Sequence, residues 1–238
     1  MGVVMGEKVI EFDRVSKSFG GRKVLDSLTF DVERGEVFVI LGPSGTGKSV
    51  TLKHAIGLIE PDSGEVRRAD VRFDYLFQSG ALLAWKTVWE NVALPLEETM
   101  RLDADEIARR VDNALAAVGL LDAAEKYPSE ISGGMQKRAG LARAIVREAE
   151  VILYDEPTSG LDPVTSVHIS KLISDLNRKH KVTSVVVTHD MVLAVKTATR
   201  IMLVKDGKAV VCLPPEEFLK SDIPEVRSFI AASKGEEI

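Results

Sequence analysis

An apolar run followed by a glycine-rich loop is the feature of this chain that most restricts its fold. Residues 37–41 are all apolar, and residues 42–49 read Gly-Pro-Ser-Gly-Thr-Gly-Lys-Ser, which fits the phosphate-loop pattern G-x-x-x-x-G-K-[ST]. An apolar run without polar alternation is typical of a strand buried on both faces of a sheet. Because the pattern requires a strand before it and a helix after it, we expect a helix over residues 48–58. This order predicts a nucleotide-binding α/β core.

Strand and helix patterns alternate along the rest of the chain. Further apolar and β-branched runs predict strands at residues 9–12, 28–32, 151–154, 182–187 and 201–204. Apolar residues three and four positions apart predict a helix over residues 102–119, and Ser132 can cap another helix that runs to about residue 147. Strands that alternate with helices predict a parallel sheet with helices on its faces.

Composition argues against several classes of protein. The net charge of −5 argues against a nucleic-acid binder, which would present a broad basic face. The one cysteine, Cys212, excludes an internal disulfide, and the apolar residues 209–213 around it predict a packed core thiol. No apolar run approaches the ~20 residues of a spanning helix, and residues 1–8 lack the pattern of a signal peptide. We therefore expect a cytoplasmic protein that reaches a membrane only through a partner.

The glycine-rich loop has the chemistry of a triphosphate site. Backbone N–H groups of such a loop can approach phosphates closely, and the start of the following helix adds a favourable dipole. Lys48 is placed to reach the β- and γ-phosphates of ATP, and the Ser49 hydroxyl to bind Mg²⁺. The residues predicted to hold the nucleotide are Gly42, Pro43, Ser44, Gly45, Thr46, Gly47, Lys48 and Ser49. The alternative is a glycine-rich turn with an incidental lysine, which the apolar strand before it disfavours.

Two adjacent carboxylates follow the predicted strand at residues 151–154. Unpaired carboxylates at the end of a buried strand would be costly, so Asp155 and Glu156 are candidates for a functional pair. The functional interpretation assigns Asp155 to Mg²⁺ and makes Glu156 the general base for an attacking water. On local sequence alone, two solvated loop acids remain the alternative.

A Ser-Gly-Gly element at residues 132–134 stands at the start of a predicted helix. The free N–H groups and the dipole of a helix start provide a second site for an anion. An ordinary capped helix is the alternative on local sequence alone. The helix carries three cations, Lys137, Arg138 and Arg143.

Taken in order, the phosphate loop, the Ser-Gly-Gly element and the Asp-Glu strand end resemble the ATP-binding subunit of an ABC transporter, and the resemblance covers nearly the whole chain. It implies a homodimer that encloses two ATP molecules, in which Ser132, Gly133 and Gly134 of one chain bind the γ-phosphate held by the other. Ile131 and Met135 depart from the commonest form of this element, which has leucine and glutamine there. We expect Met135 to be tolerated, because the backbone and Ser132 supply the phosphate contacts.

Four further residues match positions of this family one by one. Gln78 resembles the glutamine that contacts Mg²⁺ and the attacking water, and His189 resembles the histidine that contacts the γ-phosphate. Phe19 takes the place of the aromatic ring that stacks on adenine. Asp162 ends the Ser-Gly-Leu-Asp loop that touches the partner subunit, which places it among the nucleotide-binding residues. Each match is weak alone, since a single glutamine or histidine after a strand is more often structural.

Residues 77–83 and 88–96 resemble a narrower group, the Mla- or Mce-associated ATPases that drive lipid movement across the bacterial envelope. This resemblance implies a membrane permease, a Mce-type lipid-binding partner and a place on the cytoplasmic side of the inner membrane. Apolar residues suit a contact with the permease, with packing inside the helical region as the alternative; they are Leu82, Leu83 and Trp85. ATPases of amino-acid importers are the nearest competitor within the family.

The family implies an α/β fold, a P-loop NTPase (RecA-like) core with an N-terminal antiparallel β flank and an inserted α-helical subdomain. We expect one domain, in which residues 1–78 and 144–215 form the core and residues 79–143 the helical subdomain. Residues 216–238 form a C-terminal helical extension, for which packing on the core is favoured over a dimer contact. Relatives usually carry more chain between residues 66 and 71, so the β flank should be reduced here.

Two other classes of function stay open on the sequence. A soluble ABC protein that acts in assembly would have no membrane partner, and co-fractionation with membranes distinguishes it. A P-loop kinase would transfer phosphate to a small acceptor, although the Ser-Gly-Gly element and His189 argue against it.

Overall fold

The structure is a computed structural model and describes residues 6–235. Its strands are Lys8–Phe19 (β1), Arg22–Glu33 (β2), Val37–Leu41 (β3), Ser63–Arg68 (β4), Phe73–Leu76 (β5), Val151–Asp155 (β6), Thr183–Thr188 (β7), Arg200–Lys205 (β8) and Lys208–Leu213 (β9). Its α-helices are Lys48–Ala55 (α1), Val88–Thr99 (α2), Ala104–Ala117 (α3), Gly133–Ile145 (α4), Pro163–His180 (α5), Met191–Thr197 (α6), Pro215–Leu219 (α7) and Pro224–Lys234 (α8).

The main sheet has six strands in the order β5-β6-β7-β3-β8-β9, and every neighbouring pair is parallel except β8 with β9. β3, β6 and β7 are buried along their whole length, because helices or the second sheet cover both faces. Alternate residues of β3 enter two different apolar clusters, Val39 in one and Ile40 in the other. The predicted parallel sheet and α/β fold are confirmed.

A second sheet of three antiparallel strands, in the order β2-β1-β4, forms the N-terminal β flank. Stacked rings join it to the main sheet: Phe30 lies between Phe12 and Phe38, with ring centroids 4.5 and 5.3 Å away. β1 and β2 are longer than the predicted runs, because the ladder continues through residues that alternate between buried and exposed positions. Only residues 69–72 connect β4 to β5, in agreement with the short segment in the sequence.

Helices α2, α3 and α4 lie between β5 and β6 in the chain and pack on one another. A capping box of Thr87 and Glu90 begins α2, and Asp103 caps α3. The helix over residues 102–119 is confirmed as the slightly shorter α3. The limits of the helical subdomain, residues 79–143, remain a prediction. Within residues 6–235, no helix is both long and apolar enough to cross a bilayer.

Two expectations need correction. The helix after the phosphate loop ends at Ala55 instead of residue 58, because Gly57 adopts a left-handed φ of 78° and turns the chain away. The prediction of a core position for Cys212 is wrong: the residue is exposed on β9. β9 is the last strand of the main sheet and combines exposed with half-buried residues. Val210, Val211 and Leu213 pack against the core from there, whereas Cys212 is exposed.

The described part of the C-terminal extension packs on the core. Phe218 of α7 and Val226 of α8 are fully buried, and Phe229 and Ile230 are half-buried against the same apolar cluster. This favours core packing, as expected, for residues 216–235. Residues 236–238 of the predicted extension lie outside the described residues.

Candidate nucleotide-binding and catalytic site

The predicted residues meet at the carboxyl end of three neighbouring strands. In the parallel register Leu41 of β3 pairs with Thr188 of β7, and Asp155 of β6 pairs with Val187. The chain leaves β3 into the phosphate loop, β6 into Glu156 and β7 into His189. Three segments that are distant in sequence therefore deliver their side chains to one edge of the sheet.

The phosphate loop wraps tightly before α1. Gly47 caps the helix with a φ of 93°, and a Cβ there would lie 2.8 Å from the Leu25 side chain, so this position requires glycine. Lys48 is buried, and its ammonium donates to the carbonyls of Gly42 and Pro43, each at 2.8 Å. Burial lowers the pKa of Lys48, while the nearby Glu156 and Asp155 carboxylates oppose that shift. The loop thus holds a desolvated cation beside its own carbonyls.

Asp155 receives two side-chain hydrogen bonds. The Ser49 hydroxyl donates to Asp155 Oδ1 at 2.7 Å, and the Tyr75 hydroxyl donates to Asp155 Oδ2 at 2.8 Å. Burial raises the pKa of Tyr75, and the neighbouring Asp155 carboxylate adds to the shift, so the phenol remains a donor. The structure therefore brings together Ser49 and Asp155, two of the three predicted metal ligands, the third being Gln78.

Glu156 is the centre of a second group of contacts. Its carboxylate lies 3.4 Å from the Lys48 ammonium and hydrogen-bonds to His189 Nδ1 at 2.8 Å. The residue is buried and has a φ of 49°, a left-handed conformation that costs a non-glycine residue about 1–3 kcal/mol. Its backbone N–H donates to the Val187 carbonyl at 3.0 Å, which helps to hold this conformation. Lys48, Glu156 and His189 thus form one contiguous cluster.

Two other predicted residues lie at the surface. Gln78 is exposed in the turn that directly follows β5, the strand next to β6. Phe19 is the last residue of β1 and remains half-exposed, with the Lys17 ammonium 5.7 Å from its ring centroid. An exposed aromatic ring at this place is available to stack on a planar ligand.

The remaining predicted residues form a separate, outward-facing group. Ser132 caps α4 by accepting from the Met135 N–H at 3.3 Å, and the side chain is exposed, as predicted for this cap. Asp162 caps α5 by accepting from the N–H groups of Val164 and Thr165, each at 3.0 Å. Hydrogen bonds from the Thr165 side chain and backbone lower the pKa of Asp162. This carboxylate is therefore engaged within its own helix start, and its contact with a nucleotide remains a prediction.

Comparison with known proteins identifies the family. The sequence matches the family model described as "ABC transporter" over residues 25–159, which is more than half of the chain. The chain belongs to the ABC transporter family. The matched residues include the phosphate loop, the Ser-Gly-Gly element and the Asp-Glu strand end, so the resemblance seen in the sequence is confirmed.

Individual relatives align with nearly the full length of this ABC chain. The probable ribonucleotide transport ATP-binding protein mkl of Mycobacterium leprae (strain TN) is 41% identical over 236 residues, which cover 93% of this chain and 68% of the relative. The intermembrane phospholipid transport system ATP-binding protein MlaF of Escherichia coli (strain K12) is 39% identical over 237 residues, which cover 93% of this chain and 88% of the relative.

A solved structure of an ABC cassette has the same fold. The dimeric structure of the ATP-binding cassette MJ0796, in a post-hydrolysis state bound to ADP and Pi, has a TM-score of 0.80 and 31% identity. It covers 87% of this chain and 98% of that cassette. The P-loop NTPase core is thus confirmed, and the chain is an ABC-type ATPase that binds ATP. The roles of individual residues remain predictions.

Sequence reasoning misses several contacts of this ABC site. Tyr75 is seen only as a strand residue, because its contact with Asp155 depends on β5 lying beside β6, and strand order is not visible in the sequence. Lys137 is seen only as a helix cation, yet its ammonium donates to the Ser159 carbonyl and lies 3.5 Å from the Glu156 carbonyl oxygen. Both residues touch the Asp-Glu strand end from neighbouring elements.

The loop after Gln78 is fixed to α4 by backbone contact. A Cβ on Gly140 of α4 would lie 2.8 Å from Gly80 Cα, and a Cβ on Gly80 would lie 2.6 Å from the Gln136 carbonyl oxygen. The Arg143 guanidinium donates to the carbonyls of Gly80 and Ala81, each at 2.8 Å. The position of Gln78 therefore depends on how closely this loop approaches α4.

We expect Gly140→Ala to destabilise the protein by about 1–2 kcal/mol, because overpacking a tight contact costs about 1–3 kcal/mol. In an unobstructed helix the same change stabilises by roughly 0.5–1 kcal/mol, so the two outcomes differ in sign. Chemical denaturation of the variant and the parent measures this difference. A more stable variant would show that the contact between α4 and the loop is loose.

A cavity in the described part of the structure lies away from this site. It has a volume of about 800 Å³ and is found at the amino ends of β6 and β7, where Glu150 and Val182 face α3. None of the predicted site residues lines it. The chemistry expected from the sequence is instead located at the opposite, carboxyl ends of these strands.

Proposed function

We propose that two copies of this chain close around two ATP molecules with Mg²⁺, and that hydrolysis drives a membrane permease that moves lipids. The observation that carries this proposal is the contact cluster at the carboxyl end of the sheet. There Lys48 and His189 both reach Glu156, and Ser49 reaches Asp155. Within a family of ATP-hydrolysing cassettes, these contacts supply the phosphate-binding cation, the base and the metal ligands of one site.

In the proposed mechanism Glu156 accepts a proton from the attacking water. His189 lies 2.8 Å from one Glu156 oxygen, so it can orient the carboxylate and contact the γ-phosphate. Lys48 leaves the carbonyls of Gly42 and Pro43 for the more negative β- and γ-phosphates of ATP. Catalysis then comes mainly from positioning and from the electrostatic stabilisation of the transferred phosphoryl group.

The donor set fits Mg²⁺, which prefers oxygen ligands. Ser49 Oγ and Asp155 Oδ1 approach each other to 2.7 Å at the edge of the phosphate loop. Gln78, in the turn after the adjacent strand, is proposed as a further oxygen ligand. When bound, Mg²⁺ would offset the negative charge of the β- and γ-phosphates.

Dimer formation is proposed because part of the site faces outward. Ser132, Gly133 and Asp162 are exposed and belong to the group that is separate from the Lys48 cluster. A helix start with free N–H groups attracts a phosphate, so we assign Ser132, Gly133 and Gly134 to the γ-phosphate of the partner's ATP. The similar cassette MJ0796 is dimeric with ADP and Pi, which supports this arrangement. An isolated monomer should therefore hydrolyse ATP poorly.

A lipid is the proposed cargo of the permease. The name of the Escherichia coli relative refers to intermembrane phospholipid transport, and this chain spans 88% of that relative. The name of the mycobacterial relative refers instead to ribonucleotide transport, so a nucleotide cargo is the second candidate. We favour the lipid because the segments at residues 77–83 and 88–96 also resemble the Mla- and Mce-associated ATPases. A Mce-type lipid-binding protein is accordingly proposed as a further partner.

A surface next to Gln78 is proposed as the contact with the permease. Trp85 is 73% exposed there, and Leu82 and Leu83 are half-buried. Trp89, in contrast, packs against the core and its indole N–H donates to Asp112 at 3.1 Å. An exposed tryptophan beside other apolar side chains is typical of a protein interface. We therefore place the chain on the cytoplasmic side of the inner membrane, held there by its permease.

Gentle solubilisation of native membranes, followed by purification of the tagged chain and mass spectrometry, tests this proposal. We expect an integral permease, a lipid-binding partner and bound phospholipid. The variant Trp85→Ser tests the proposed contact surface. It should no longer co-purify with the permease, while it still hydrolyses ATP. Bound nucleotide with a nucleotide-binding partner would support the second candidate, and purely soluble partners would contradict transport altogether.

We expect Phe19→Ala to weaken the binding of ATP and of ADP by similar factors, because both carry the adenine that stacks on this ring. Stacking of an aromatic side chain on a base contributes about 1–3 kcal/mol, or roughly a 5- to 150-fold change in affinity. Phe19→Tyr should keep most of the affinity. Calorimetric titration with both nucleotides measures the effect, and equal affinities for Phe19→Ala and the parent would remove Phe19 from the site.

A further inference from the structure

Two segments that lie far apart in sequence form one outward-facing surface. One is the start of α4 at residues 132–136, and the other is residues 159–162, the outer part of the loop at residues 156–162 between β6 and α5. They touch directly, since a Cβ on Gly134 would lie 3.4 Å from the Leu161 side chain. Under the proposed function both segments face the partner subunit and its nucleotide.

Lys137 connects these two segments through a hydrogen bond. It lies on α4 one turn beyond the Ser-Gly-Gly element, and its ammonium donates to the Ser159 carbonyl. The same ammonium lies 3.5 Å from the carbonyl oxygen of Glu156, the proposed base. One side chain therefore reaches both the first residue of this loop, Glu156, and Ser159 at the beginning of its outer part.

The loop needs such a restraint, because its backbone is left-handed at its first residue and again in its outer part. Glu156 and Gly160 have φ values of 49° and 71°. The Thr158 hydroxyl ties the middle of the loop to Asp190 Oδ2 at 3.2 Å, and Lys137 ties the next residue to α4. Thr158 thus anchors the loop to the segment that follows β7, whereas Lys137 anchors it to the helix that carries Ser132.

We infer that Lys137 is a positioning residue that joins the loop at residues 159–162 to the start of α4, so that the partner's nucleotide meets a preformed surface. The inference rests on the proposed function, since it requires that both segments contact the partner subunit. Without this hydrogen bond the two segments would have to be ordered during association, and that loss of conformational freedom would weaken the closed dimer. The nucleotide bound by the chain's own phosphate loop would be unaffected.

The test uses the full chain with Glu156→Gln as the background, because this variant is expected to accumulate as an ATP-bound dimer. Lys137→Met, Lys137→Gln and Lys171→Met are each added to it; Lys171 is an exposed lysine on α5 and serves as the control. Sedimentation velocity over a range of protein concentrations gives the dimer dissociation constant with ATP. Titration of the dilute monomer gives its ATP affinity, and thermal unfolding reports folding.

We expect Lys137→Met to raise the dimer dissociation constant by about tenfold or more, because it removes a charge-assisted hydrogen bond from each subunit. The ATP affinity of the monomer should stay unchanged, and Lys137→Gln should recover part of the dimer, since its amide can still donate to a carbonyl. If Lys137→Met unfolds at a lower temperature than the parent, its weaker dimer could reflect lost folding. The dimer dissociation constants of Lys137→Gln and Lys171→Met are then compared, and a weaker dimer for Lys137→Gln supports the inference.

Two negative outcomes can be told apart. If the Glu156→Gln parent forms a dimer and the Lys137 variants form it equally well, the inference is overturned and the proposed function stands. If the parent itself remains monomeric with ATP, the proposed closure around two nucleotides fails, and the role of Lys137 in it fails as well.

Discussion

The Glu156→Gln variant should bind ATP, accumulate as a closed dimer and hydrolyse little. The amide keeps the size of the carboxylate and can still hydrogen-bond to His189, but it cannot accept a proton from water. Loss of a positioned general base lowers rates by about 10²–10⁴-fold. Steady-state phosphate release measures the turnover, and size-exclusion chromatography with ATP measures the dimer.

Glu150→Gln is the matched control for this experiment. Glu150 precedes the first residue of β6, at the opposite end of the strand from Glu156, and pairs with Arg34 at 2.9 Å. Its replacement should leave turnover close to that of the parent. A Glu156→Gln variant with near-native turnover would show that another group activates the water.

The Lys48→Ala variant should lose most of its affinity for ATP. Lys48 is the cation of the phosphate loop, and hydrogen bonds to charged groups contribute about 1.5–3 kcal/mol. The dissociation constant should therefore rise roughly 10- to 150-fold, which direct calorimetric titration measures. Hydrolysis should fall further, because the same ammonium is proposed to stabilise the transferred phosphoryl group.

Two comparisons test whether a loss of ATP affinity in Lys48→Ala comes from the lost charge or from lost packing. Lys48 is buried, so Lys48→Met, which keeps the apolar part of the side chain, separates loss of charge from loss of packing. Lys53→Ala, at an exposed lysine of the same helix, should bind ATP like the parent. Unchanged affinity in both Lys48 variants would contradict the assignment of the phosphate loop.

The parts of the site that are contiguous in the chain are predictable from its sequence. Residues 37–49 contain a strand, a loop and a helix start in one stretch, so their spacing alone specifies how the backbone must run. The hydrogen bond between Ser49 and Asp155 joins residues 106 positions apart. Ser49 and Asp155 are each assigned to Mg²⁺ from separate motifs, but the hydrogen bond between them is not predictable, because no local pattern shows which strands are neighbours.

Predictions from the sequence fail where a local pattern does not show which strands or loops will lie beside it. The apolar run around Cys212 is a strand, as its composition suggests, but the sequence does not show that it lies at the edge of the sheet. The contact between Tyr75 and Asp155 is invisible for the same reason. Lys137 and Arg143 look like ordinary cations of a helix, since nothing in their spacing indicates that carbonyl groups of two other loops face them.

The exposed position of Cys212 has a practical consequence. It is the one cysteine of the chain, so a spin label attached there marks each subunit once without any engineered substitution. A pair of labelled chains then gives a single inter-label distance, which pulsed dipolar spectroscopy can follow as ATP is added and consumed. The proposed opening and closing of the dimer can thereby be tested in solution with the natural sequence.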